Sequence, residues 1–216
     1  EGPLAGGHLG FKVDEINLEA NKLENLFPPV KDFVSKHGDV PVIVAGGIYD
    51  HDDILKFLSM GADGVQMGTR FLVTEESSAI PEYKKAVIDA GPADIMVAYR
   101  PGSPCGLPFM VLRNAPMFVS SLAQRRVPRC DKGYIMTKNR EGHYAVCKAQ
   151  NDNEGFFCIC NGLLSSGGYN TNAEEPLYTV GVNGYRIDRT ITVHELMQEL
   201  KGIIPSAETI SPEAAA

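Results

Sequence analysis

Through the first half of the chain, short unbroken apolar runs alternate with apolar stripes of helical spacing. Val40-Pro41-Val42-Ile43-Val44-Ala45 is one such run. It lacks the polar alternation of a half-exposed strand and suits a parallel sheet covered on both faces. Before it, a helix is expected to begin near Pro29, a good first helical position, with Val30, Phe33 and Val34 as its apolar face and Gly38 as its stop. The next unit repeats this order. Asp50 can cap a helix in which Ile54, Leu55 and Leu58 face inward and Gly61 ends the last turn, and a strand follows at about residues 64–68. A third, weaker helix is expected over residues 81–90, with Tyr83, Ala86 and Val87 buried. Strands alternating with helices predict an α/β fold with right-handed crossovers.

Past Asp94 the rhythm changes. Residues 99–114 hold three prolines and two glycines and read as a structured surface loop. Residues 130–185 mix polar, Gly and Cys positions without a period and read as irregular. Order returns at Thr192-x-x-Glu195, a capping box that opens a short helix lined by Val193, Leu196, Met197 and Leu200 and closed by Gly202. Residues 211–216 are expected to be a disordered end. No solenoid repeat is visible.

The 216 residues, 44% apolar and 22% charged, have the composition of a globular protein. No run of about 18 apolar residues occurs, so no membrane span is expected. Net charge is −7, with no basic block beyond Arg125-Arg126, which argues against nucleic-acid binding. The five cysteines are an odd number, which fits a reducing compartment, and Glu1-Gly2-Pro3-Leu4 carries no signal-peptide pattern. A cytoplasmic location is expected. Cys130, Cys147, Cys158 and Cys160 could in principle hold a metal, but their spacing matches no compact ligand pattern, so free buried cysteines and no metal are expected. Nothing near Cys105 indicates activation. The carboxylate pairs Asp52-Asp53 and Glu75-Glu76 are read as helix-start charges without a catalytic part.

Two glycine-bearing strand ends carry the strongest chemical signal. Ala45-Gly46-Gly47-Ile48 closes one strand, and Gln66-Met67-Gly68-Thr69-Arg70 closes the next, one βα unit later. Glycine lets backbone N–H groups approach an anion, and a helix start adds a favourable dipole. Either turn alone is as readily an ordinary βα turn; the pair favours a phosphate site of the kind made by the loops after strands seven and eight of a (β/α)8 barrel. His8, in the loop Gly2-Pro3-Leu4-Ala5-Gly6-Gly7-His8-Leu9-Gly10, can accept or hold a proton near neutral pH. Taken by itself it fits a loop histidine bonded to backbone better than a catalytic one.

These three segments, with Pro41 to Ile48 and Gly61 to Phe71 read in full, resemble the nitronate monooxygenase family, also called 2-nitropropane dioxygenases. The flavin-dependent enoyl-acyl-carrier-protein reductases share much the same pattern. An inosine-monophosphate dehydrogenase-like barrel shares the two turns but not the Ala-Gly-Gly-His loop. The resemblance covers at least residues 1–114, and Ser103-Pro104-Cys105-Gly106-Leu107-Pro108 with Arg113-Asn114 looks like a further, weaker feature of it. It implies a TIM (β/α)8 barrel and FMN as cofactor, with Gly6, Gly47, Gln66, Met67, Gly68 and Thr69 at flavin-contacting positions and His8 as the catalytic histidine. It also implies oxidation of nitronates or nitroalkanes with oxygen to carbonyl compounds and nitrite, with His8 binding the nitro group or taking the α-proton. The alternative is reduction of an enoyl thioester with NAD(P)H. Either way the expected partner is a small-molecule substrate.

A full barrel takes eight strands and usually about 250 residues. If the two turns follow strands seven and eight, the chain opens at the end of strand six, and residues 1–114 are the C-terminal units of an incomplete barrel. Residues 115–216 would then be an irregular, Cys-containing extension ending in a short helix and tail. Open strand edges would favour association into a homo-oligomer, and an inactive folded fragment is the second alternative.

Overall fold

The computed structural model describes residues 1–129, 137–138, 141, 144–145, 147–152, 155–169 and 174–204. Cys130 and the tail over residues 211–216 lie outside the described residues. In chain order the elements are β1 (Gly7–His8), α1 (Leu23–Ser35), β2 (Ile43–Ala45), α2 (His51–Ser59), β3 (Gly64–Gln66), α3 (Thr69–Leu72), α4 (Pro81–Ile88), β4 (Ile95–Ala98) and β5 (Phe109–Leu112). They continue with α5 (Pro116–Leu122), β6 (Thr137–Lys138), β7 (Tyr144–Ala145), α6 (Lys148–Asn151), α7 (Ile159–Ser166) and α8 (Val193–Leu200).

The two apolar runs pair in parallel, Val44 opposite Val65 and Ala45 opposite Gln66, with α2 as the crossover between them. Asp50 caps α2 by accepting the Asp53 N–H at 3.0 Å, and Gly61 follows its end at φ +97°. The buried side chain of α2 is Phe57, backed by Ile54, whereas Leu55 and Leu58 are exposed. At 3.6 residues per turn those two leucines stand roughly 100–160° around the helix from Phe57, too far to reach the same core. Helix α1 starts at Leu23, not near Pro29, and carries Pro28 and Pro29 inside it. Burial falls on Leu23 and Phe27, which join Val44 and Phe57 in one cluster, while Val30 and Phe33 are 50% and 62% exposed. The parallel pair has no further strand beside it among the described residues. Ile43 is accordingly 51% exposed, and the sheet is not covered on both faces.

Residues 99–114 are not all loop. Phe109-Met110-Val111-Leu112 is the fully buried central strand β5, antiparallel to β4 on one side and to β1 on the other. The four-residue apolar run is the signal that the neighbouring prolines and glycines masked. Within residues 130–185, α7 is likewise regular. It lacks an apolar stripe because close backbone contact buries it: a Cβ at Gly162 would stand 2.7 Å from Leu177 Cβ, and the Ser166 hydroxyl lies 2.8 Å from both the Gly162 and Leu177 carbonyl oxygens. Helix α8 forms as expected, with the Thr192 hydroxyl accepting the Glu195 N–H at 3.1 Å.

The main core takes Tyr49, Val73, Tyr83 and Val87 from the first half of the chain and Phe118, Phe157, Leu177 and Tyr178 from the second. Tyr83 on α4 ties the halves together. Its hydroxyl donates to the Thr179 carbonyl, its oxygen accepts the Thr179 N–H at 2.8 Å, and its ring stacks on Tyr178 at 4.5 Å. No described helix is long and apolar enough to cross a membrane.

Candidate active site

The strand ends of β2 and β3 open into one cavity of about 300 Å3. Gly6, Gly47, Gln66, Met67, Gly68 and Thr69 all line it, so one surface unites six residues drawn from three separate turns. The turn after β2 runs through Gly46 and Gly47 at φ +95° and +88°, a conformation that side chains rarely tolerate. It is also clamped by the first loop: the Gly2 N–H donates to the Ala45 carbonyl at 2.8 Å, and a Cβ on Gly46 would meet the Gly2 carbonyl oxygen at 2.8 Å. Gly68 differs, since it precedes α3 with nothing within 4 Å of a Cβ built on it. The N–H groups of Gly47, Ile48, Gly68 and Thr69 have no protein acceptor among the described residues.

A fourth segment, which sequence reasoning missed, closes this cavity. Gly181 approaches Gly6 so closely that a Cβ on Gly6 would stand 2.8 Å from the Gly181 nitrogen. The Gly181 N–H donates to the Thr69 hydroxyl at 3.0 Å, the Val182 N–H to the Leu4 carbonyl at 3.0 Å, and the Asn183 side-chain amide to the Gly47 carbonyl at 2.5 Å. The available signal was the glycine pair Gly181 and Gly184 inside a stretch without periodicity.

Behind the cavity the turns after β2 and β3 are fastened to the fourth segment and to α8 by charge and ring stacking. The guanidinium carbons of Arg70 and Arg186 lie 4.4 and 3.9 Å from the Tyr49 ring centroid. Arg70 is buried and paired with Glu199 of α8, while Arg186 pairs with Asp50 at 3.1 Å. Each cation thus meets both a carboxylate and an aromatic face. A second cavity of about 380 Å3, lined by Ile16, Leu18, Leu23 and Phe57, shares the wall made by Leu4, Gly46, Gly47 and Asn183.

His8 lines neither cavity. Its place on β1, opposite Phe109, sets its ring edge-on to the Phe109 ring at 4.9 Å and puts Nε2 2.7 Å from the Ser103 hydroxyl. Partial burial lowers its pKa below the ordinary histidine value. Ser103 is buried and was not singled out from the sequence as a site residue.

Cys147 and Cys158 are buried, Cys160 is partly buried and Cys105 is exposed. Among the described residues no three potential ligands form a metal-binding group. Asp52 and Asp53 stand in the first turn of α2, where Asp53 accepts the Tyr49 N–H at 2.8 Å. Glu75 and Glu76 lie between α3 and α4, in the first turn of neither, and so are not helix-start charges. Glu76 instead caps α8 across space, its carboxylate oxygens 2.8 and 2.9 Å from the Val193 nitrogen.

Glycine-built strand ends, backbone donors without a protein acceptor and a shared cavity define an α/β protein with a glycine-lined cavity at the carboxyl ends of parallel strands. Matched over residues 1–202, the chain belongs to the nitronate monooxygenase family. A probable nitronate monooxygenase of Bacillus subtilis is 40% identical over 94 residues, 44% of this chain and 26% of that protein. One of Staphylococcus haemolyticus is 40% identical over 99 residues, 45% of this chain and 27% of that protein. The chain thus spans about a quarter of the length of these curated relatives. Among solved structures, FabK from Thermotoga maritima matches 92% of this chain with a TM-score of 0.58 at 24% identity, over 51% of its own length. Nitroalkane oxidase from Streptomyces ansochromogenes matches 94% with a TM-score of 0.58 at 23% identity, over 49% of its own length. These two likenesses place the mixed α/β fold with TIM-barrel chains.

Proposed function

We propose that the protein is an FMN-dependent oxidoreductase of small molecules, and that its substrates are nitronates or nitroalkanes, converted with oxygen to carbonyl compounds and nitrite. The observation that carries the proposal is the convergence of three glycine turns on one cavity with the N–H groups of Gly47, Ile48, Gly68 and Thr69 unengaged. An anionic phosphate satisfies such donors, and the open space at Gly68 leaves room for it to approach the backbone. Gly47, Gly68 and Thr69 would hold the phosphate, with Gly6, Gln66 and Met67 lining its surroundings. FMN, when bound, supplies the electron-accepting ring on which the redox chemistry depends. His8 follows Gly6 and Gly7 in the chain, outside both cavities, and would bind the nitro group from there. In this reading residues 1–114 contribute about the seventh and eighth barrel units, and residues 115–216 are a C-terminal extension.

The family favours nitronate or nitroalkane substrates. Reduction of an enoyl thioester with NAD(P)H is the second reading, because the turn motifs serve flavin-dependent enoyl reductases equally well. The test titrates the protein with FMN by fluorescence and then measures two activities. Nitrite released from propionate-3-nitronate without NAD(P)H is the expected result. Turnover confined to crotonyl thioester with NADPH selects the second reading, and no FMN uptake selects an inactive folded fragment.

A further inference from the structure

The contact between His8 and Ser103 bears on what His8 can do, and the inference rests on the functional reading above. Ser103 is 3% exposed, and the residue before it is fixed by backbone pairing: the Gly102 N–H donates to the Gly155 carbonyl, and the Phe157 N–H to the Gly102 carbonyl, each at 3.0 Å. The Ser103 oxygen already accepts the Cys105 N–H at 3.1 Å. Its own proton needs an acceptor, since a buried hydroxyl left without one costs about 1–3 kcal/mol. Among the described residues the acceptor within reach is His8 Nε2, at 2.7 Å. If Nε2 accepts, the proton of a neutral imidazole sits on Nδ1. Partial burial favours that neutral ring. Nδ1 itself has no protein partner among the described residues.

We propose that Ser103 is a positioning residue that holds His8 in its Nδ1–H form, so that His8 offers substrate a hydrogen-bond donor. A donor stabilises the anionic oxygen of a nitronate. It does not remove the α-proton of a neutral nitroalkane, because the ring's basic nitrogen is turned to Ser103. The site is therefore selective for the substrate form that arrives already deprotonated. A reaction that forms nitronates, or the slow ionisation of nitroalkanes in water, must supply it.

The test has a spectroscopic and a kinetic arm. The full chain, labelled with nitrogen-15 in its histidines, reports the tautomer of His8 by the side-chain nitrogen shifts, with His8→Asn identifying the signal. The expected result is a non-protonated Nε2 in the native protein, loss of that preference in Ser103→Ala, and its return in Ser103→Thr. A native His8 protonated at Nε2 overturns the proposal whatever the activity. In the kinetic arm, Ser103→Ala should lower kcat/KM for propionate-3-nitronate by about tenfold, the equivalent of one charge-assisted hydrogen bond. A loss confined to the neutral nitroalkane makes His8 a base and overturns the proposal. The tautomer measurement needs no flavin, so a failure of the functional reading, seen as absent FMN uptake, is distinguishable from a failure of the Ser103 assignment.

Discussion

Glycines that look alike in the sequence do different work here. Gly46 and Gly47 are needed by the chain itself, because their φ values are positive and their Cβ positions are taken by Gly2 and Leu4. Gly68 meets nothing, so a side chain there has room without disturbing the fold. Gly68→Asp should leave the unfolding midpoint nearly unchanged and abolish FMN retention, since the carboxylate fills the cradle and repels the phosphate. Flavin stoichiometry after gel filtration checks this, and retention at the native level would put the phosphate elsewhere. His8 supplies a second residue-scale prediction. Its folded pKa is lowered from 6.5 by desolvation, so the unfolded chain binds the proton more readily at mildly acidic pH. Its contribution to stability is complete above 6.5 and is lost as pH falls through the folded value. The drop in Tm between about pH 7.5 and about pH 5.5 should be smaller in His8→Asn than in the native protein. An equal drop would remove His8 from the pH response.

At the scale of elements, α8 is attached to the cradle by charge. Glu199 lies on a helix whose apolar stripe is Leu196 and Leu200, yet it is 3% exposed because Arg70 of α3 reaches it. Glu199→Ala leaves Arg70 buried without its carboxylate, which should cost about 3–5 kcal/mol in urea unfolding. The double change Arg70→Met, Glu199→Leu should recover much of that loss, because no unpaired charge remains. A single-mutant loss no larger than that of an exposed ion pair would show that other groups neutralise Arg70. The capping of α8 teaches the same lesson. Its Thr192 cap is local and legible, whereas its Glu76 cap arrives from 117 residues away and could not be read in sequence.

For the whole molecule, apolar side chains stand exposed along the parallel pair and α1: Val30, Phe33, Val40 and Ile43 are each half or more exposed. An open strand edge flanked by apolar surface invites pairing with another chain. Sedimentation of the full chain should show self-association that rises with concentration and weakens in Ile43→Lys. A native chain that stays monomeric at the highest attainable concentration would show that this edge is protected. Much of the cradle was legible without coordinates. The apolar runs ending in Gly-Gly and Gly-Thr set the parallel pair and its turns, because strand burial and positive-φ turns are local demands on residue type. The Asp50 and Thr192 caps were legible for the same reason. Tertiary structure alone decided which stripes are covered, for Phe57 rather than Leu55 and Leu58 is buried once α2 meets Leu23 and Phe27. It also brought Gly181 and Asn183 onto the cradle, stacked Arg70 and Arg186 on Tyr49, and set Ser103 against His8. Those contacts join residues far apart in the chain, and their energy depends on distance in space, which no local pattern of residue types encodes.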